Sequence, residues 1–106
     1  MKAEEKQDLV CRCDARLPAA RYVLVLDESG RTIFTFGRPS RADKTLIKSL
    51  VECVSPDFEQ SIFYYTDKIF IAMRLSKGFI VCSLDKKANI ARNLLRLREI
   101  GESVWG

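Results

Sequence analysis

Between Tyr22 and Ile100 the apolar positions switch between the two-residue repeat of strands and the 3.6-residue repeat of helices, and each switch marks an element boundary. Upstream, Glu4 to Ala15 is rich in Ala, Glu, Lys and Gln, with Leu9, Val10 and Cys13 at helical spacing and Pro18 just beyond. This predicts a short, loosely attached first helix within residues 1–18. Tyr22 to Leu26 (YVLVL) is continuously apolar, as in a strand covered on both faces. Asp27, Glu28, Ser29 and Gly30 supply a turn, and Thr32 to Phe36 returns as the second strand of a hairpin.

After the break at Gly37, Arg38 and Pro39, Ser40 and Asp43 have capping-box spacing, so a middle helix should span Ser40 to Val54. Its Leu46, Ile47, Leu50, Val51 and Val54 form one stripe, read as lying opposite Lys44, Lys48 and Glu52, and Ser55, Pro56 and Asp57 stop it. Ser61–Thr66, Lys68–Leu75 and Phe79–Leu84 are rich in β-branched and aromatic residues and predict a three-stranded antiparallel meander. In its middle strand Ile69, Ile71, Met73 and Leu75 form the expected core face. Asp85 is the expected N-cap of a closing helix with a stripe of Ile90, Leu94 and Leu97, and Gly101 is its expected stop. The element order is therefore α-β-β-α-β-β-β-α, an α+β class, as a single domain over residues 1–106.

Composition narrows the chemistry. Hydrophobic residues make up 47% and charged residues 30% of the chain, an ordinary globular balance. No apolar run approaches the ~20 residues of a membrane-spanning helix, and MKAEEKQDLV has acidic residues where a signal peptide would be apolar, so a cytoplasmic location is expected. The chain has no histidine, which removes the commonest general base and the commonest metal ligand together. Of the cysteines, Cys11, Cys13, Cys53 and Cys82, only the first two are close. Structural zinc needs about four ligands, so free thiols are expected and no metal; on a helix Cys13 would face the sheet and Cys11 water.

Asp27 and Glu28 read as turn residues rather than a catalytic pair, and DESG lacks the glycines and GK[ST] of a phosphate loop. Phe63, Tyr64 and Tyr65 read as edge-strand aromatics at a dimer seam or under a helix, since no ribonucleoprotein pattern accompanies them. Arg92, Arg96 and Arg98 read as a solvated helix face, with an acidic protein partner as the sharper alternative. Trp105 is either docked on its own domain or offered to a partner. No catalytic residue, cofactor or metal site is expected.

The segment LPAARYVLVLDESGRTIF resembles the first hairpin of the roadblock/dynein light chain family, where a helix end leads into an apolar strand and an acidic, glycine-containing turn. The segment KIFIAMRLSKGFIVCSLDKKANIARNLLRLREI is similar to that family's last hairpin and closing helix, and its ANIARNLL resembles the Asn-rich helix start. The chain departs from the pattern at Pro18, Ala19 and Ala20, where the family often has glycine, and in its four cysteines. The resemblance implies a roadblock/profilin-like fold, a five-stranded antiparallel sheet flanked by helices, and a homodimer in which the middle helix and third strand meet their symmetry mates. That places Leu46, Ile47, Leu50, Val51, Ile62 and Tyr64 at the dimer interface, and self-pairing would cover a strand that is apolar on both faces. It also implies a non-enzymatic adaptor that binds a small Ras-like GTPase or scaffolds a motor or signalling complex. The partner would meet the solvent side of the middle helix around Arg41, Lys44, Lys48 and Glu52. Two other readings stay open: a profilin-like small-ligand sensory domain, and a nucleic-acid-binding module using Arg92, Arg96, Lys86 and Lys87.

Overall fold

The computed structural model describes residues 1–53 and 59–105, with Cys53 described by its backbone alone. The elements follow the expected order: α1 (Ala3–Arg16), β1 (Ala20–Asp27), β2 (Thr32–Gly37), α2 (Arg41–Cys53), β3 (Gln60–Tyr64), β4 (Lys68–Leu75), β5 (Gly78–Asp85) and α3 (Ile90–Ser103). All five strands form one antiparallel sheet in the order β2-β1-β5-β4-β3. The β1–β2 hairpin and the β3–β4–β5 meander are thus joined by β1 pairing with β5, and β2 and β3 are the two edges.

Helices cover both faces, which explains why β1 is apolar without alternation. Val23 and Val25 point to the face under α1 and α3, while Tyr22, Leu24 and Leu26 point to the face under α2. β4 behaves the same way. Ile69, Ile71, Met73 and Leu75 are buried under α1 and α3 as expected, but the opposite face is a second core, with Phe70 and Ala72 buried against α2. Each fully buried side chain of this size contributes about 1.5–3 kcal/mol, so both layers hold the sheet.

Several boundaries differ from the sequence reading. The first helix is fourteen residues long and seated through the buried Leu9 and Cys13, with Leu17 buried just after it. The guanidinium of Arg96 on α3 donates 2.8 Å to the Arg16 carbonyl, satisfying an orphan acceptor at the end of α1. The N-cap of α3 is Asn89, whose side chain accepts from the Arg92 amide at 3.0 Å. Asp85 instead closes the preceding turn, accepting from the Lys87 amide. Gly101 does not stop α3. It is buried within the helix where a Cβ would lie 2.6 Å from Leu75 Cδ1, so its missing side chain lets α3 approach β4. Val54, expected to extend the α2 stripe, and Ser55, Pro56 and Asp57, read as its stop, lie outside the described residues.

Candidate functional site

The position of α2 is set by a buried polar cluster beneath its first turn. Ser40 Oγ accepts from the Asp43 amide at 3.1 Å, the half of the capping box that the sequence predicts. The Asp43 carboxylate does not complete the box. It turns into the sheet, where Oδ2 accepts from the Tyr22 hydroxyl at 3.0 Å and Oδ1 pairs with Lys68 Nζ at 2.6 Å. Asp43 is buried, so this carboxylate is balanced by a cation from β4 and a hydroxyl from β1. Burial, reinforced by the bond to Asp43, pushes the Tyr22 phenol well above its usual range. Lys68 Nζ also sits 5.5 Å from the centre of the Tyr65 ring, a cation–π contact at the end of β3.

With its first turn pinned, α2 presents two different flanks. At 100° per residue, Lys44 lies only about 20° and Lys48 about 60° around the axis from Val51. The two lysines therefore flank the apolar stripe rather than standing opposite it. Together with Glu52 they form one wall of a groove of about 880 Å³ over β1 and β2. Leu24, Leu26, Ile47 and Val51 form its apolar floor, Thr32 and Thr35 line the hairpin side, and Arg38 and Pro39 stand in the β2–α2 connection. The groove is narrow at the hairpin tip, where Gly30, at φ +88°, comes so close to α2 that a Cβ would lie 2.7 Å from Val51 Cγ1. Arg41 is exposed at the start of α2 and does not line the groove.

On the other flank, half-buried Leu46 and Leu50 pack on the second core and are absent from the groove. At the far sheet edge, β3 pairs only with β4 among the described residues. Phe63 lies across from Phe70, with ring centroids 5.9 Å apart, and so shares the α2 face. Phe63, Tyr64 and Tyr65 are all exposed, Tyr64 to 70%.

The six residues assigned to the dimer interface therefore separate. Ile47 is buried in its own chain's core, at 6% exposure, and Val51 turns toward the groove. Leu46 and Leu50 remain half-buried. Ile62 packs against the α1/α3 core, and Tyr64 has the same strand parity, so both lie on the face away from α2. Phe63 is the edge aromatic that shares a face with Leu46 and Leu50. The sequence marks Phe63 as an edge-strand aromatic but not which of the β3 residues shares a face with α2, because that parity is set by the tertiary fold.

The other singled-out groups have structural roles. Three hydrogen bonds, from the Ser29 hydroxyl and the Arg31 and Ser29 amides, hold the Asp27 carboxyl below its usual range, and they close the hairpin turn. Cys11 is exposed, whereas Cys13 and Cys82 are buried free thiols that burial pushes up, Cys13 to about 11. Trp105 is half-buried against the α1/α3 core. Among the described residues no group of three His, Cys, Asp or Glu side chains could hold a metal ion, and no helix is long and apolar enough to cross a membrane.

Neither known family profiles nor the sequences of curated proteins match this chain. Solved structures do match it. The gliding protein MglB from Thermus thermophilus superposes with a TM-score of 0.74 at 14% identity, over 98% of this chain and 93% of that one. Myxococcus xanthus MglB gives 0.72 at 15% identity, over 99% and 92%. A Roadblock/LC7 domain from Streptomyces avermitilis gives 0.72 at 13% identity, over 98% and 94%. At these identities the likeness is one of architecture, and it covers both chains almost end to end: the fold of this protein is the roadblock fold.

Proposed function

We propose that this chain is a non-enzymatic, dimeric adaptor that binds a small Ras-like GTPase or scaffolds a motor or signalling complex. The observation that carries the proposal is the asymmetry of α2. One flank, with Leu46, Leu50 and the neighbouring edge strand β3, is apolar and suits a second copy of the chain, while the other carries exposed Lys44, Lys48 and Glu52. Pairing through β3 would satisfy an open row of backbone donors and acceptors and bury Phe63 between two α2 helices. The cationic flank would stay outside that seam and face the partner. A non-enzymatic role is supported by the local bonding. Asp27 is committed to a turn, the Asp43–Lys68 pair is buried beneath α2, and Cys13 and Cys82 are shielded thiols. The MglB structures, one of which is described as having a tetrameric arrangement, support self-association as the context of this fold.

The test is recovery of a nucleotide-dependent partner. The purified chain, immobilised and exposed to lysate of its source cells with GDP or a non-hydrolysable GTP analogue, is expected to retain a small GTPase in a nucleotide-sensitive way. Lys44→Glu/Lys48→Glu should lose it while remaining dimeric. Equal retention by the charge-reversed dimer would contradict the assigned surface.

A further inference from the structure

The groove between α2 and the β1–β2 hairpin has a chemistry that the adaptor reading leaves unspecified. Its floor is apolar, with Leu24, Leu26 and Ile47 each 6% exposed or less and the half-buried Val51 beside them. The apolar surface that it offers is therefore small. Among the described residues its wall and mouth carry three cations, Arg38, Lys44 and Lys48, against one carboxylate, that of Glu52. None of these four side chains has an ion pair or hydrogen bond among the described residues. Among the other cations, Arg16 pairs with Glu99, Arg21 with Asp67 and Lys68 with Asp43, and Arg96 binds a helix end, whereas the side chains of Lys86, Lys87, Arg92 and Arg98 are likewise unpaired among the described residues; the apolar floor beside them is what sets the groove cations apart. The groove thus combines unpaired positive charge with a small apolar seat, the arrangement of an anchor pocket with a charged rim. It lies over β1 and β2, at the opposite sheet edge from β3, so pairing through β3 leaves it open.

We propose that this groove docks an acidic segment of a partner protein that carries one bulky apolar side chain. The side chain sits on Leu24, Leu26 and Ile47, and flanking carboxylates meet Lys44, Lys48 and Arg38. This rests on the adaptor reading and adds the chemistry of the partner's docking segment.

The test uses the full chain, isotope-labelled for amide NMR, and three short synthetic peptides: a central tryptophan flanked by glutamates, the same peptide with serine for tryptophan, and the tryptophan flanked by lysines. The first is expected to shift the amides of Gly30, Thr35, Lys44 and Lys48. The other two should bind at least about tenfold more weakly. Added salt should weaken the first. Lys44→Glu/Lys48→Glu should abolish its shifts, and Arg38→Glu, which lies outside the helix, should weaken them independently. Three results would each overturn the proposal: shifts centred on Arg92 and Arg98 of α3, equal binding of the serine peptide, or no shift at millimolar peptide. Adding dodecanoate in a parallel titration separates a small amphiphile from a peptide; displacement of the first peptide by equimolar dodecanoate would reassign the groove. Light scattering on the same samples keeps the adaptor reading distinct. A monomer that binds the peptide leaves the groove site standing and removes the dimer, and a dimer that ignores it does the reverse.

Discussion

Asp43 decides where α2 sits, because one buried carboxylate joins the helix to β1 through Tyr22 and to β4 through Lys68. Removing it strands an ammonium that is only partly exposed to water. Asp43→Ala is expected to cost about 3 kcal/mol in urea unfolding, whereas Tyr22→Phe, which leaves the ion pair intact, should cost about 1 kcal/mol. Equal costs would mean that the ion pair does not anchor the helix. The cysteines give a second residue-scale prediction. An ordinary thiol titrates near 9.0 and folded Cys13 near 11, so the folded state resists losing a proton that the unfolded chain gives up. Stability from this group is complete below pH 9 and is lost as pH rises through 11; Cys82 and Tyr22, also raised by burial, act in the same direction. The urea midpoint should therefore fall between pH 9 and 11, with a shallower slope in Cys13→Ala. A midpoint that is flat over this range would contradict the burial. The sequence alone indicated that Cys13 would face inward, from helical spacing. It could not indicate that the Asp43 carboxylate would turn into the sheet instead of completing the capping box, since Tyr22 and Lys68 are far from it in the chain and meet it only when the sheet forms.

At the scale of elements, the glycine of α3 shows where local rules give way to packing. Gly101 reads as a helix stop because glycine is costly inside a helix. In the fold it is retained at that cost because Leu75 and Ile80 occupy the space beside it. Gly101→Ala should therefore destabilise by about 1–2 kcal/mol despite its better helix propensity, as read by thermal unfolding. Stabilisation would restore the terminator reading. The start of α3 was misplaced for a similar reason, since Asp85 and Asn89 are both good caps and the turn after β5 uses the first, leaving the second for the helix. The continuous apolar run of β1 was legible because burial on two faces leaves no alternation. The reverse face of β4 was less so, because Phe70 and Ala72 share it with the charged Arg74, whose guanidinium lies 4.8 Å from the centre of the Phe79 ring.

For the whole molecule, hydrophobic periodicity was enough for the order of five strands and three helices, while the roadblock architecture was implied by the resemblance of the two hairpin segments and the closing helix to that family. The candidate site was less legible. Lys44 and Lys48 were found by their charge, but their place beside the stripe depends on helix phase, and the groove needs a hairpin whose approach to α2 no local pattern encodes. Phe63, rather than Ile62 or Tyr64, shares a face with Leu46 and Leu50 because the pairing with β4 sets its parity. In the proposed dimer, β3 and this flank of α2 join two copies of the chain. Sedimentation equilibrium under reducing conditions, with Phe63→Lys alongside the unmodified chain, measures this. The expected result is a mass of two chains for the unmodified protein and of one chain for the variant, with unchanged circular dichroism. A single-chain mass for the unmodified protein at every concentration, or a variant as dimeric as its parent, would contradict it.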